Sequence, residues 1–142
     1  MLIDIADFSY INKVYGYDFG DELIRKIAEI LKKNFKESDI IGRIEGDLFA
    51  IFAKNLKKKE NVFSLIERLK EILDKDVVFE VRGKKLHIIF HGGVSIYPDD
   101  GKTFEELLQN ARIALKEAKQ EGYNVVKIYN KELEKRQNLS FI

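Results

Sequence analysis

Apolar and polar positions alternate along the chain with two different periods, and together these periods predict a mixture of helices and strands. In three long segments, apolar residues recur every three or four positions, which is the spacing of an amphipathic helix. Shorter apolar runs bounded by Gly, Asp or Asn indicate strands, and two pairs of them are close enough to form hairpins. The predicted strands are residues 2–5, 39–43, 48–53, 77–81, 86–90 and 125–129, and the predicted helices are residues 9–15, 18–35, 62–73 and 104–121.

Three local signals refine these elements. Gly92 and Gly93 interrupt the apolar run that follows residue 86, which indicates a bulge or the close approach of another backbone. Thr103 is the predicted N-cap of the last long helix, and Glu106, three positions later, completes a capping box. The charged residues 131–142 are interpreted as a C-terminal tail or linker, and a helix there is left open.

The order of the elements predicts the fold class. It is strand, two helices, two strands, helix, two strands, helix and strand. Strands joined by helices, with two internal hairpins, favour an α+β sandwich close to the ferredoxin-like pattern, with a central, mostly antiparallel sheet and flanking helices. A chain of 142 residues is long enough to bury a sizeable core. We therefore predict one domain over residues 1–130.

Composition narrows the classes of partner. Lys and Arg total 25 against 24 Asp and Glu, and a net charge of +1 gives no basic field, so we expect neither nucleic acid nor a membrane surface as a partner. The absence of cysteine excludes disulfides and thiolate metal sites and is typical of a cytoplasmic protein. His87 and His91 are four positions apart on a predicted strand, about 13 Å, which is too far to share a metal.

Two carboxylates occupy positions that suit metal chemistry. Asp4 lies in the first apolar strand, and Asp47 lies in the turn of the first hairpin. If these strands are neighbours, the two acids approach each other at one edge, and paired carboxylates with room for water and phosphate oxygens are how proteins hold Mg²⁺. Taken alone, acids at strand ends and in turns are more often simply solvated.

The residues around these acids favour the metal interpretation, because they resemble a known family. Residues 4–21 follow, in register and without a gap, the pattern D-x-D-x-F-K-x-I-N-D-x-x-G-H-x-x-G-D of GGDEF (diguanylate cyclase) domains. The family hairpin R-x-G-G-D-E-F appears as residues 43–49, and its A-L-Y-x-A-K-x-x-G-R-N-x-V block is similar to residues 114–126. Three ordered blocks cover nearly the whole chain, which is therefore identified as a GGDEF domain with a degenerate signature, EGDLF.

This resemblance implies a fold, a ligand and a set of binding residues. The fold is the nucleotidyl-cyclase-like palm sandwich, and the ligand is GTP with Mg²⁺. In the family, the matching positions hydrogen-bond the guanine base, form the hairpin turn, contact the triphosphate or coordinate the metal. The implied nucleotide-binding residues are Asn12, Asp21, Gly46 and Lys119, and the implied metal ligands are Asp4, Ile5 (through its backbone carbonyl) and Asp47.

Four residues depart from the family pattern, and they affect catalysis, phosphate binding and product inhibition. Leu48 stands at the position of the catalytic acid, and losing a positioned acid or base typically costs about 10²–10⁴ in rate. Glu45 replaces the first signature glycine and brings negative charge to where phosphate would approach. Tyr123 replaces an arginine and removes a phosphate-binding charge. Lys36 replaces the arginine of the family's product-inhibition motif and lacks its planar fork, so we expect that site to be lost.

Three hypotheses follow. The leading one is a catalytically inactive GGDEF domain of bacterial cyclic di-GMP signalling that binds GTP with Mg²⁺ and regulates an attached domain. The tail resembles the connector that leads into an EAL phosphodiesterase domain, which makes an EAL domain one candidate partner. An active diguanylate cyclase, which requires a homodimer of GTP-loaded subunits, is the first alternative, and a nucleotide-free interaction module is the second. The family's N-terminal helix and D-x-L-T-G-L-x-N-R segment have no counterpart in the 142 residues.

Overall fold

The computed structural model describes residues 1–54, 56, 58–75, 78–81 and 83–139. Residue 77 of one predicted strand and residues 140–142 of the predicted tail lie outside them. No helix in this part of the chain is long and apolar enough to span a membrane. The strands are β1 (Leu2–Ile5), β2 (Ile40–Glu45), β3 (Leu48–Phe52), β4 (Val78–Val81), β5 (Lys84–His87), β6 (Phe90–Val94) and β7 (Val126–Ile128). The helices are α1 (Phe8–Tyr15), α2 (Tyr17–Asn34), α3 (Lys59–Lys75), α4 (Phe104–Glu121) and α5 (Lys131–Leu139).

The central sheet has the strand order β2-β3-β1-β6-β7, while β4 and β5 form a separate two-stranded sheet. β1 pairs antiparallel with both β3 and β6, β2 pairs antiparallel with β3, and β6 pairs parallel with β7. The α+β class and the mostly antiparallel central sheet predicted from the sequence are therefore confirmed. Because β1 is the middle strand, all four of its residues are buried, including the charged Asp4.

The two faces of the sheet have separate cores, and the alternation of side chains along β1 distributes its residues between them. Ile3 and Ile5 belong to the larger core, which they share with apolar residues of α1, α2 and β3. Leu2 belongs to a smaller cluster with Leu48 and two residues of α4. Asp4 points to the same face as Leu2, so the strand directs its carboxylate toward α4.

α4 begins and ends as the sequence predicts. The Thr103 hydroxyl accepts a hydrogen bond from Glu106 N at 3.2 Å, which is the forward half of the capping box. The Glu106 carboxylate accepts from Lys102 N at 2.8 Å rather than from Thr103 N. At the other end Gly122 has φ of 141°, a conformation that suits glycine and terminates the helix.

The sequence predicts either a bulge or a close backbone approach at Gly92 and Gly93. The bulge is wrong, and the close backbone approach is confirmed. β6 runs through both glycines in unbroken register with β1. A Cβ on Gly93 would meet the Ala111 carbonyl and Leu115 N and would lie 2.9 Å from Leu115 Cα. The backbone of α4 therefore rests directly on β6, which is possible because the strand has no side chain at this point.

The strand break occurs earlier than the sequence suggests. Residues 86–90, which are apolar except for His87, predict one strand, but β5 ends at His87 and β6 begins at Phe90. The chain leaves the small sheet and enters the central one between them. His87 and His91 consequently belong to different sheets, and the assumption that they share one strand is wrong.

Residues 131–139 of the predicted tail form α5, which packs against α4. Leu133 is 1% exposed. Gln137 Nε2 donates to the Ile113 carbonyl at 2.8 Å, and Arg136 Nη1 lies 3.5 Å from Glu117 Oε1. The helix is thus connected to the sheet through α4.

Tyr129 precedes α5 and gives the fold a testable pH dependence. Its hydroxyl donates to Glu134 Oε2 at 2.7 Å. This hydrogen bond, with burial, raises the pKa of Tyr129 to about 12. A raised pKa favours the neutral phenol in the folded state, so the contribution to stability is complete below the ordinary tyrosine pKa of about 10 and is lost as the pH rises through the folded value. In an ultraviolet titration, Tyr129→Phe should remove the phenolate step near this value.

Variants of α5 provide the control for this prediction. Glu134→Gln should shift the Tyr129 step to lower pH, because a neutral amide disfavours the phenolate less than a carboxylate does. Glu132→Gln removes the same charge from an exposed position on the same helix and should leave the step where it is. An unchanged step in Glu134→Gln would contradict the assigned hydrogen bond.

Candidate nucleotide and metal site

Asp4 is the centre of the candidate site. Its carboxylate is buried, with 4% of the residue exposed. Asp4 Oδ2 lies 2.6 Å from Lys119 Nζ, and Asp4 Oδ1 lies 3.5 Å from His91 Nδ1. A buried carboxylate is costly unless a cation or hydrogen-bond donor compensates it, and Lys119 does so here. The structure thus brings two residues implied by the family pattern together and adds His91.

Lys119 reaches Asp4 because α4 lies close to the sheet. The helix contacts β6 through Gly93 and buries small residues, with Ala114 and Ala118 both 0% exposed. Lys119 is in the last turn, where a cation is favoured by the helix dipole, and its side chain is 49% exposed. The ammonium group can therefore contact both the buried Asp4 and the solvent in front of it.

His91 is fixed by the segment that follows α4. His91 Nε2 lies 2.9 Å from the Gly122 carbonyl. The neighbouring Phe90 N donates to Asn124 Oδ1 at 3.0 Å, and Gly92 N donates to the Val125 carbonyl at 2.9 Å. These contacts attach the end of α4 to β6 and hold the imidazole against Asp4. Sequence reasoning treated His91 only as half of a distant histidine pair, and its direct pairing with Asp4 became visible only in the strand register.

The hairpin turn places Asp47 beside the end of β1. Ile5 N donates to the Asp47 carbonyl at 3.2 Å. β1 and β3 are neighbours, with Asp4 opposite Leu48 in the register. The condition under which the two acids approach each other is therefore met. Gly46 is exposed at the tip, where its carbonyl accepts a hydrogen bond from Arg43 Nε at 2.7 Å.

Leu48 has a structural role at the position of the family's catalytic acid. It is 5% exposed and packs with Leu2, Ala111 and Leu115 under α4. Because paired residues in neighbouring strands point to the same face, Leu48 lies beside Asp4. The apolar side chain packs α4 against the sheet, and it places no second charge next to Asp4.

Glu45, the second departure in the hairpin, faces a cation that the sequence interpretation missed. Glu45 Oε1 lies 3.4 Å from Arg112 Nη2, in a pair whose side chains are 65% and 38% exposed. An ion pair this exposed contributes little to stability, but it offsets part of the charge that Glu45 brings to the site. Arg112 and Lys119 are seven positions apart on α4, so they occupy the same side of the helix, a spacing that could have revealed this contact.

Asn12 and Asp21 form a second group at the corner between α1 and α2. Asn12 Oδ1 is buried and accepts no hydrogen bond from any described residue. The amide occupies the space where Gly20 lacks a side chain, since a Cβ there would meet Asn12 Oδ1. Asp21 is the next residue and is exposed. Two oxygen acceptors at this corner suit the N–H groups of a nucleobase.

Tyr123, which stands where the family pattern has an arginine, is 79% exposed.

The donor set fits Mg²⁺ as an ion shared with a phosphate group. Across the described ranges, no three His, Asp or Glu side chains lie close enough together to enclose a metal. Asp4 Oδ1 is buried without a hydrogen-bond partner within the same ranges, so it is an available ligand. Mg²⁺ usually binds through one or two carboxylates, water and substrate phosphate, and Asp4, the Ile5 carbonyl and Asp47 would form such a partial site.

Comparison with known proteins identifies the family to which this fold and site belong. Residues 1–125 match the family model described as diguanylate cyclase, GGDEF domain. The chain belongs to the GGDEF domain family, and the identification made from its motifs is confirmed.

Two of the relatives are named as enzymes that make or degrade cyclic di-GMP. The chain is 32% identical over 133 residues to the cyclic di-GMP phosphodiesterase NbdA of Pseudomonas aeruginosa, a match that covers 94% of this chain and 17% of that protein. It is 30% identical over 136 residues to diguanylate cyclase A of Treponema denticola, covering 95% and 36%. The structure of an EAL/GGDEF domain protein from M. capsulatus superposes with a TM-score of 0.82 at 29% identity, covering 91% and 82%.

These matches give the family of this chain and the share of its relatives that it covers. The chain is a GGDEF domain of cyclic di-GMP signalling, with relatives among EAL/GGDEF proteins. It spans only 17% and 36% of the length of the two relatives named above.

Proposed function

We propose that this domain binds GTP together with Mg²⁺, does not condense GTP into cyclic di-GMP, and regulates a domain attached to it. The observation that carries the proposal is the state of Asp4. This carboxylate is buried and paired with Lys119, so the implied metal ligand and the implied phosphate-binding cation lie side by side, while the residue opposite Asp4 in the neighbouring strand is the apolar Leu48. Binding groups are thus retained around a position that has lost its acid.

Asn12, Asp21 and Lys119 have defined roles in nucleotide binding. Asn12 Oδ1 is buried against Gly20 and has no hydrogen-bond partner in the described structure, so the amide would turn outward to accept from the guanine N–H edge, with Asp21 beside it. Lys119 would exchange Asp4 Oδ2 for a phosphate oxygen, because its half-exposed side chain can turn outward. Mg²⁺ would supply the charge that holds the phosphates against Asp4 and Asp47.

The same arrangement explains the expected lack of turnover. Joining a ribose 3′-OH to an α-phosphorus requires removal of the hydroxyl proton and neutralisation of the developing charge. Leu48 can accept no proton, and its packing under α4 leaves the position closed to water. Glu45 adds a negative charge that Arg112 offsets only from an exposed position.

Regulation of an attached domain is supported by the route from Lys119 to α5. Lys119 is on α4, and α4 contacts α5 through Glu117 with Arg136 and through Ile113 with Gln137. A change at Lys119 would therefore have a direct route to α5 through one packed helix. The relatives include a cyclic di-GMP phosphodiesterase and an EAL/GGDEF protein, which makes an EAL domain the leading candidate for the regulated partner.

Calorimetry tests the binding part of the proposal. GTP with Mg²⁺ should bind the wild-type chain, and Lys119→Ala should weaken binding about 10-fold or more, as expected for the loss of a hydrogen bond between charged groups. Lys116→Ala removes the same charge from an exposed position on the same helix and should change the affinity little. Absence of any GTP binding would favour the nucleotide-free interaction module instead.

Chromatography of GTP reaction mixtures tests the catalytic part. We expect no cyclic di-GMP after incubation with GTP and Mg²⁺. Product that forms with the wild-type chain and disappears in Asp47→Ala would refute the claim of inactivity and establish the alternative, an active cyclase.

A further inference from the structure

His91 and Asp4 present two buried acceptor atoms to each other across neighbouring strands. The residues are directly paired between β6 and β1. Their side chains are 10% and 6% exposed, and His91 Nδ1 lies 3.5 Å from Asp4 Oδ1. Within the part of the chain that the structure describes, neither atom has a hydrogen-bond partner.

The position of the imidazole proton makes this arrangement informative. His91 Nε2 lies 2.9 Å from the Gly122 carbonyl, which can only accept, so Nε2 carries the hydrogen. Nδ1 is then the ring atom left to face the Asp4 carboxylate oxygen, 3.5 Å away, and it is buried. A carboxylate oxygen and a ring nitrogen buried this close together need either a proton or a metal ion between them.

We infer that Asp4 Oδ1 and His91 Nδ1 are two ligands of a transition-metal ion, Mn²⁺ or Zn²⁺, bound between β1 and β6. Two ligand atoms that each lie about 2.1 Å from one ion, at roughly the tetrahedral angle, are about 3.4 Å apart. Histidines that bind metals almost always donate their other ring N–H to a carbonyl or carboxylate, and the Gly122 carbonyl takes that part here.

The ligand types decide which metal this position prefers. Mg²⁺ favours oxygen ligands, whereas an imidazole nitrogen beside a carboxylate suits Mn²⁺ or Zn²⁺. Lys119 occupies Asp4 Oδ2 and leaves Oδ1 for the ion. Since Asp47 lies on the β3 side of β1 and His91 on the β6 side, the inferred position differs from the Asp4–Asp47 pairing. The inference rests on the proposed function in that Asp4 is a metal ligand in both, and water or nucleotide phosphate would complete the coordination.

The sequence provides a matched control for a spectroscopic test. The chain contains only two histidines and no cysteine, and His87 is exposed at the end of β5. Mn²⁺ alone is added to the 142-residue chain, and pulsed electron paramagnetic resonance detects nitrogen bonded to the ion. Nitrogen coupling should be present in the wild type and in His87→Gln and absent in His91→Gln. Mn²⁺ affinity should fall about 10-fold or more in His91→Gln. Removing a residue that only hydrogen-bonds to a metal ligand typically costs about 10-fold to 100-fold in affinity, and removing a ligand should cost at least as much.

A second measurement avoids dependence on a variant. In the wild-type chain saturated with Zn²⁺, nuclear magnetic resonance of isotope-labelled histidine should show His91 Nδ1 coordinated and without a proton. A proton on Nδ1 under those conditions would assign the contact with Asp4 to an imidazolium and overturn the inference. Bound Mn²⁺ without nitrogen coupling, or coupling that survives in His91→Gln, would overturn it as well.

These results are independent of the nucleotide experiments. Nitrogen coupling to Mn²⁺ in a chain that gives no calorimetric signal with GTP would establish the metal position and refute GTP binding. GTP binding with Mg²⁺, in a chain that shows no nitrogen coupling, would support GTP binding and refute the metal position at His91.

Discussion

Gly93→Ala should lower the free energy of unfolding by about 3 kcal/mol, the upper part of the range for overpacked sites. The added Cβ would meet the Ala111 carbonyl and Leu115 N, which are backbone atoms of α4 and cannot turn aside as a side chain can. The helix must therefore move away from β6. Urea unfolding followed by circular dichroism measures the loss.

Gly42→Ala is the matched control for this substitution. Gly42 also lies in a strand of the central sheet, but a Cβ there would meet no atom within 4 Å. We expect a change of at most about 0.5 kcal/mol in this variant. Since α4 carries Lys119, Gly93→Ala should also weaken GTP binding while Gly42→Ala should not. Equal stability of the two variants would contradict the close packing of the α4 backbone on Gly93 of β6.

The contact at Gly93 illustrates what the sequence could and could not predict. The helical period of α4, its Thr103 cap and its Gly122 end are local signals, and they give the helix its correct extent. The glycine pair signals that something approaches closely. Which element approaches depends on how distant segments pack, so the sequence left a bulge and a backbone contact as alternatives.

The same distinction applies to the candidate site. The family pattern singled out Asp4 and Lys119 because each belongs to a local motif, but it gave no reason to expect their ion pair. His91 was missed because residues 86–90 are mostly apolar and predict one strand, and this pattern carries no signal that the chain changes sheets after His87. α5 was left open because it is highly charged, and Leu133, which is buried, is not distinctive in sequence.

Leu48→Glu is the second substitution with a large expected effect, and it separates packing from charge. In the presence of a chelator, it should lower the free energy of unfolding by about 3–4 kcal/mol. Part of the loss comes from the apolar contacts with Leu2, Ala111 and Leu115. The rest comes from a second buried carboxylate beside Asp4, where like charges repel.

Leu48→Gln is the control that isolates the charge. The amide removes the same apolar contacts and has a similar size, but it adds no negative charge and is a weak metal ligand. Mg²⁺ should therefore stabilise Leu48→Glu much more than Leu48→Gln. At a metal concentration 100 times the Kd, binding to the folded state would restore about 2.7 kcal/mol. Equal responses of the two variants to Mg²⁺ would mean that the introduced carboxylate does not face the metal position.

Activity then identifies what the wild-type domain lacks. If the scaffold is otherwise competent, Leu48→Glu combined with Glu45→Gly should produce cyclic di-GMP from GTP, because the acid is restored and a negative charge near the phosphates is removed. A double variant that Mg²⁺ stabilises but that still makes no product would exclude the missing acid as the sole cause of inactivity. The lesion would then lie elsewhere, and Tyr123, which is exposed at a position that carries an arginine in the family pattern, would be the next residue to restore.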